Sequence, residues 1–395
     1  MVLAKFYVTL DKDNCVFFPG QEITGSVHVW NDKPKHVNGI YVDCRGSAQV
    51  SFTRTEQQMN TIYRNGRSHN EVKNITTHYQ SSENYFRQRI TINAGGSDRT
   101  LGKGKHQFPF SLILPHQIPS SFEGVHGNVR YTIRAVYERR RKWNHECKIP
   151  ITVNSIMDLN QIPESSVPVQ ASGYKTLGIL CCKSNPITAK FWLDRCGYVP
   201  GESIIFNAEV ENLSRKAMRG TKVQIIEKTS YHATRATEFH ERVINESIRG
   251  KFKDFQAWEN YAIIVPPIVS SNLQFCKIID VSYSIMFAVD PGAFSFNLKI
   301  FHNLLIGNVP LRSSFANFQQ RIAHPNSQTQ TENSTSITNP SGREIASPIS
   351  NDYPDLPPPS YEECMFGGNL RETDDSEHVV YGVGDSYKPR YLTYG

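Results

Sequence analysis

Apolar and polar residues alternate with a period of two along much of the chain. Ile23, Gly25, Val27 and Val29 interleave with Thr24, Ser26, His28 and Trp30, the pattern of a strand with one buried face. Val129, Tyr131, Ile133, Ala135 and Tyr137 interleave with Arg130, Thr132, Arg134 and Val136 in the same way. Further strands are predicted at 6–10, 39–52, 85–92, 108–114 and 147–153, between clusters of Gly, Pro, Asn and Asp that favour turns. No window longer than about ten residues carries apolar residues at helical spacing. The predicted class is all-β, built from sandwiches.

The pattern also repeats. Cys15-Val16-Phe17-Phe18-Pro19-Gly20-Gln21-Glu22-Ile23 returns 181 residues later as Cys196-Gly197-Tyr198-Val199-Pro200-Gly201-Glu202-Ser203-Ile204. Gly39-Ile40-Tyr41-Val42 and Gly220-Thr221-Lys222-Val223 keep that offset, but Val129 to Ile133 and Val281 to Ile285 stand only 152 apart. The first copy therefore carries extra residues. They fit the polar stretch 55–82, which reads as a long loop or an edge excursion. Two tandem immunoglobulin-like β-sandwich lobes follow, at 1–155 and 175–312, joined by a linker at 156–174 that contains Pro163 and Pro168.

Beyond residue 312 the composition changes. From Asn326 to Asn339 almost nothing apolar is available to bury, so 313–395 is expected to be a disordered acidic tail. It holds 5 Lys and Arg against 11 Asp and Glu, net −6, which leaves 38 against 26, net +12, on the body. The overall +6 conceals this division. A basic body suggests phosphorylated receptor tails or the anionic cytoplasmic leaflet as partners. Its densest cluster is Arg139-Arg140-Arg141-Lys142, just past a predicted strand. That cluster reads either as a contact for acidic lipid or phosphate, or as a solvated turn. No interleaved aromatic platform accompanies the charge, so nucleic acid is not an expected partner.

Candidate chemistry is sparse. The eight cysteines lack the short paired spacings of zinc or redox sites, and no apolar run approaches ~20 residues. A cytosolic chain with free thiols is expected. Cys181 and Cys182 invite acylation, or a metal site with Cys196, against the commoner reading of idle thiols. Nucleophile-turn and His-Glu-x-x-His motifs are absent, and Gly102-Lys103-Gly104-Lys105 lacks the spacing of a phosphate loop. Neither an enzyme nor a cofactor is expected.

The tail's informative stretch is Asp355-Leu356-Pro357-Pro358-Pro359-Ser360-Tyr361-Glu362-Glu363. Its prolines favour polyproline II, whose three-residue repeat sets Pro358 and Tyr361 on one edge. The Pro-Pro-x-Tyr spacing is the one WW domains read, making Pro358, Pro359 and Tyr361 candidate ligands of an aromatic groove. Immediately ahead, Tyr353, Pro354 and Leu356 have the Tyr-Pro-x-Leu form bound by the ESCRT-associated adaptor Alix. The two motifs are contiguous, so their partners would compete.

Together the two Pro-Gly strands, Asp158-Leu159-Asn160, the segment Cys196 to Glu202 and the terminal Pro-Pro-x-Tyr resemble the α-arrestins, or arrestin domain-containing proteins. The resemblance implies an arrestin fold and an adaptor. Such an adaptor would join a membrane receptor or transporter cargo to HECT-type ubiquitin ligases with WW domains, promoting cargo ubiquitination, endocytosis and endosomal sorting. It implies a cytoplasmic protein, peripheral at the plasma membrane and endosomes. The alternative is a ligase-independent sorting scaffold resembling retromer's arrestin-like subunit. Many family members carry two Pro-Pro-x-Tyr motifs, whereas Tyr387-Lys388-Pro389-Arg390-Tyr391 has lysine in place of the first proline. Tyr361 is therefore expected to recruit the ligase alone. An acidic tail on a basic body also suggests docking of the tail on the first lobe by charge.

Overall fold

The computed structural model describes residues 5–64, 67–92, 100–139, 141, 143–178, 183–292, 295–314, 360–364 and 387–394. The first lobe consists of Lys5–Leu10 (β1), Val16–Phe17 (β2), Glu22–Asn31 (β3), Lys35–His36 (β4), Gly39–Arg64 (β5), Arg67–Ile92 (β6), Thr100–Leu101 (β7), Gly104–Ile113 (β8), Phe122–Glu123 (β9), Gly127–Glu138 (β10) and His145–Val153 (β11). One sheet runs β1-β3-β8 and the other β2-β11-β10-β5-β6, with β9 paired to β10 and the short β4 paired to β7. Residues 23, 27 and 29 of β3 and 129, 131, 133, 135 and 137 of β10 are buried, as period two requires.

The second lobe repeats the plan with Val169–Lys175 (β12), Ile187–Leu193 (β13), Gly197–Tyr198 (β14), Ser203–Asn212 (β15), Gly220–Ala233 (β16), Ala236–Arg249 (β17), Phe255–Ile264 (β18), Ile279–Asp290 (β19) and Leu298–Ile306 (β20). Its sheets run β12-β13-β15-β18 and β14-β20-β19-β16-β17. In each lobe the short strand before the Pro-Gly turn pairs in parallel with the last long strand, Phe17 with Val153 and Tyr198 with Ile306. The turn glycines, Gly20 at φ 80° and Gly201 at φ 88°, hold a backbone that side chains rarely adopt. The repeated motif thus marks the same corner of both sandwiches.

The surplus of the first lobe is a long hairpin. β5 and β6 pair from Ile40↔Ile92 to Arg64↔Arg67 with one bulge between Gly46 and Ser47, whereas β10 covers β5 only from Gly39 to Val50. The polar stretch 55–82 is therefore an edge excursion of paired strand, and its base reaches the second lobe. Arg54 Nε donates to Glu238 Oε2 at 2.8 Å, the Lys277 amide to Glu83 Oε2 at 3.0 Å, and Thr234 Oγ1 to the Gln80 carbonyl at 3.1 Å.

The linker differs from its expected span. Two short 3-10 turns, Leu159–Gln161 and Pro163–Ser166, cross between the lobes, with Asp158 capping the Asn160 amide at 2.9 Å. Residues 169–174, expected to be linker, instead lie in β12, the outer strand beside β13. Its Gly173 faces Leu298 and Ile300, where a Cβ would stand 3.3 Å from Leu298, so small residues let the strand approach β20. The core beneath is aromatic: Phe191 stacks on Phe287 at 5.5 Å and meets Phe206 edge-on at 5.7 Å. Each such fully buried ring contributes about 1.5–3 kcal/mol.

At the start of β11, burial and the nearby Arg139 and Lys35 charges lower the His145 pKa to about 4. Its buried Nε2 meets no hydrogen-bond partner among the described residues. The folded state thus resists a proton that the unfolded chain accepts near pH ~6.5. Stability from this residue is complete above that value and is lost as pH falls toward about 4. In urea titrations at pH 7 and 4.5, His145→Phe should narrow the difference in unfolding free energy between the two pH values. An unchanged difference would contradict the burial argument.

Candidate functional site

The far end of the chain returns to the crease between the lobes. Arg390–Thr393 (β22) pairs antiparallel with Ser360–Glu363 (β21) in the register Ser360↔Thr393, Tyr361↔Leu392, Glu362↔Tyr391 and Glu363↔Arg390. The Cys364 amide donates to the Pro389 carbonyl at 2.8 Å and extends the pairing by one residue. Ser360 and Thr393 join their hydroxyls at 2.6 Å. The tail expected to be disordered thus contains an ordered two-stranded unit.

Tyrosine hydroxyls and backbone groups fasten this unit to both lobes. Tyr387 donates to the Ile151 carbonyl at 2.9 Å and lies 3.1 Å from Thr152 Oγ1, at the end of β11. Asn154 Nδ2 donates to the Arg390 carbonyl at 3.0 Å, and Tyr391 donates to the Ser121 carbonyl at 2.9 Å. On the second lobe, the Tyr394 amide donates to the Pro200 carbonyl at 3.0 Å and its hydroxyl to the Asn308 carbonyl at 2.9 Å. The Tyr394 backbone crosses directly over Gly201, leaving no room there for a Cβ. Tyr394 packs with Leu159 of the linker, Val199 and Leu311, while Tyr391 and Cys364 enter the main core.

The electrostatics suit neutral hydroxyl donors. Burial raises the Tyr387 and Tyr394 hydroxyls to about 12 and pushes Tyr391 well above its ordinary value. Two buried ion pairs belong to the same crease: Glu123 with Arg130 at 2.6 Å and Glu227 with Arg242 at 2.8 Å. Burial also raises the Glu123 pKa, against the pull of Arg130. Glu227 adds to the upward push on Tyr391, and Glu123 to that on Tyr387. The expectation of docking by charge falls mostly on acidic residues outside the described ones; among the described residues the contact has another character. The ion pair of the docked unit, Arg390 with Glu363 at 3.3 Å, is exposed and internal to the tail, while aromatic burial and hydrogen bonds make the contact with the lobes.

Of the expected ligase-binding residues, Tyr361 lies half-buried in β21, and Pro358 and Pro359 lie outside the described residues. So do Tyr353, Pro354 and Leu356 of the Alix-type motif, and Cys181 and Cys182. Cys196 Sγ donates to the Glu164 carbonyl at 2.8 Å, and no metal-holding group of three His, Cys, Asp or Glu occurs among the described residues. In the basic loop, Arg139 Nε donates to the Trp143 carbonyl at 2.6 Å, Arg141 is exposed, and Arg140 and Lys142 lie outside the described residues. Trp143 beside them is 84% exposed. Sequence reasoning missed Leu392 and Tyr394, and treated Tyr387 and Tyr391 only as the ends of a degenerate motif. Their available signal was three tyrosines and a leucine within eight residues of an otherwise polar tail.

Known proteins share this architecture. Residues 6–160 match the arrestin (or S-antigen) N-terminal domain and residues 183–311 the arrestin C-terminal domain. Arrestin domain-containing protein 17 of Caenorhabditis elegans is 27% identical over 99% of both chains. Arrestin domain-containing protein 1 of Homo sapiens is 27% identical over 78% of this chain and 66% of its own. Arrestin domain-containing protein 4 of Homo sapiens is 31% identical over 58% of this chain and 56% of its own. With two arrestin domains in tandem and relatives of this kind, the chain belongs to the arrestin domain-containing family, the α-arrestins.

Proposed function

We propose that this α-arrestin is an adaptor whose lobes hold a membrane-protein cargo while Pro358, Pro359 and Tyr361 recruit a HECT-type ubiquitin ligase through its WW domains. The observation that carries this reading is a Pro-Pro-x-Tyr motif on a tail attached to two arrestin lobes. No chemistry by the chain itself is required. Tethering raises the ligase's effective concentration at the cargo, favouring ubiquitination and then endocytosis and endosomal sorting. The place of action is the cytoplasmic face of the plasma membrane and endosomes. A sorting scaffold independent of ligase is the competing reading, under which Tyr361→Ala leaves cargo traffic intact.

A second contact is proposed at the 139–144 loop. Trp143 is 84% exposed and directly follows the basic run Arg139 to Lys142, and an indole beside clustered cations suits the interface of an anionic leaflet.

Tyr361→Ala in a peptide spanning 352–366 removes an aromatic anchor of about 2 kcal/mol. WW-domain affinity measured by calorimetry should therefore fall by roughly thirtyfold, and equal affinity would remove the motif from the account. For the loop, Arg139→Glu with Arg141→Glu should weaken sedimentation with phosphatidylserine vesicles about tenfold or more. Unchanged sedimentation would leave the loop as a solvated turn.

A further inference from the structure

The residue that a WW domain would grip is already gripped. Tyr361 sits in β21 opposite Leu392, and its neighbours Ser360 and Glu362 face Thr393 and Tyr391. Beyond the strand, Cys364 is 4% exposed and packed into the main core, and its amide is bonded to Pro389. β22 in turn is fastened to Thr152, Asn154 and Ser121 of the first lobe, with Tyr387 just before it fastened to Ile151 and Tyr394 just after it to Pro200 and Asn308 of the second.

A WW groove encloses a polyproline II segment, with the prolines and the tyrosine ring against its aromatic floor. That segment runs from Pro358 to Tyr361, so Ser360 and Tyr361 would have to serve both structures at once. A residue paired in a β-ladder has its backbone turned toward the neighbouring strand, and its half-buried ring is not free to enter a second pocket. The two occupancies exclude each other on geometry alone.

We propose that the crease between the lobes is the docking site for the chain's own strand Arg390–Thr393, and that this strand masks the ligase motif by pairing with Ser360–Glu363. The degenerate segment 387–391 then has its own role: its tyrosines bind the body of the protein in place of a second WW domain. Lysine at 388, where a second motif would carry proline, is consistent with that division, because Lys388 is exposed between the buried Tyr387 and the buried Pro389 that accepts from Cys364. Capture of Tyr361 by a WW domain requires β21 to leave β22, with loss of the Ser360–Thr393 contact and exposure of Cys364.

This inference rests on the reading of Pro358, Pro359 and Tyr361 as a WW ligand, and the test separates the two. A single recombinant WW domain of a HECT-type ligase is titrated into the 352–366 peptide, the full chain, the full chain with Tyr387→Ala and Tyr391→Ala, and a chain ending at 386. The peptide should bind, the native chain at least tenfold more weakly, and both altered chains within about threefold of the peptide. Melting curves accompany the titrations, so that gain of binding is scored only where the lobes remain folded. A peptide that does not bind overturns the functional reading. A binding peptide with an equally tight native chain overturns the masking alone, as does a weak native chain that neither the double substitution nor the truncation relieves.

Discussion

A backbone carbonyl removed from water must find a donor, and at the lobe crease that donor is a tyrosine from the far end of the chain. The carbonyls of Ser121, Ile151 and Asn308 each accept from a different tail tyrosine, at 2.9 Å in every case. Leaving such a group buried and unpaired costs about 1–3 kcal/mol, so removing the tail would either expose the crease to water or strand its acceptors. The rest of the arrangement follows from this. The loops after β11 and β20 supply Asn154 and Asn308 from equivalent corners of the two lobes, and one short strand can reach both because the lobes repeat a single plan.

The repeated plan was legible because it is written locally. Period-two burial needs only neighbours in sequence, and β3 with β15, or β10 with β19, keep their offsets of 181 and 152 from end to end. The stretch 55–82 was legible only as an excursion: its sequence is rich in Asn, Gln, Thr and His, so periodicity could not separate a loop from a hairpin in which β6 pairs back along β5. β12 was harder still, since Ala171 and Gly173 present little hydrophobic signal and owe their place to close approach to β20.

The candidate site divides in the same way. Pro358, Pro359 and Tyr361 form a linear motif, complete within four residues, and need no fold to be read. The docking of Tyr387, Tyr391 and Tyr394 depends on groups about 90 to 270 positions away, a separation at which composition reports only the polar average of the tail. Acidic charge dominated that average and pointed to an electrostatic contact, whereas the contact made by the described residues is carried by aromatic rings whose hydroxyls stay neutral because they are buried. Screening weakens charge pairs and leaves buried hydrogen bonds of this kind nearly untouched.

Under the proposed function, recruitment of a ligase by this α-arrestin would be set by two structures competing for one tyrosine. Hydrogen–deuterium exchange of the full chain, with and without a saturating WW domain, examines that competition at the backbone. The amides of Ser360–Glu363 that face β22 should be protected in the chain alone and lose their protection when the domain is added. Rapid exchange in the chain alone, or protection that persists in the complex, would contradict the account.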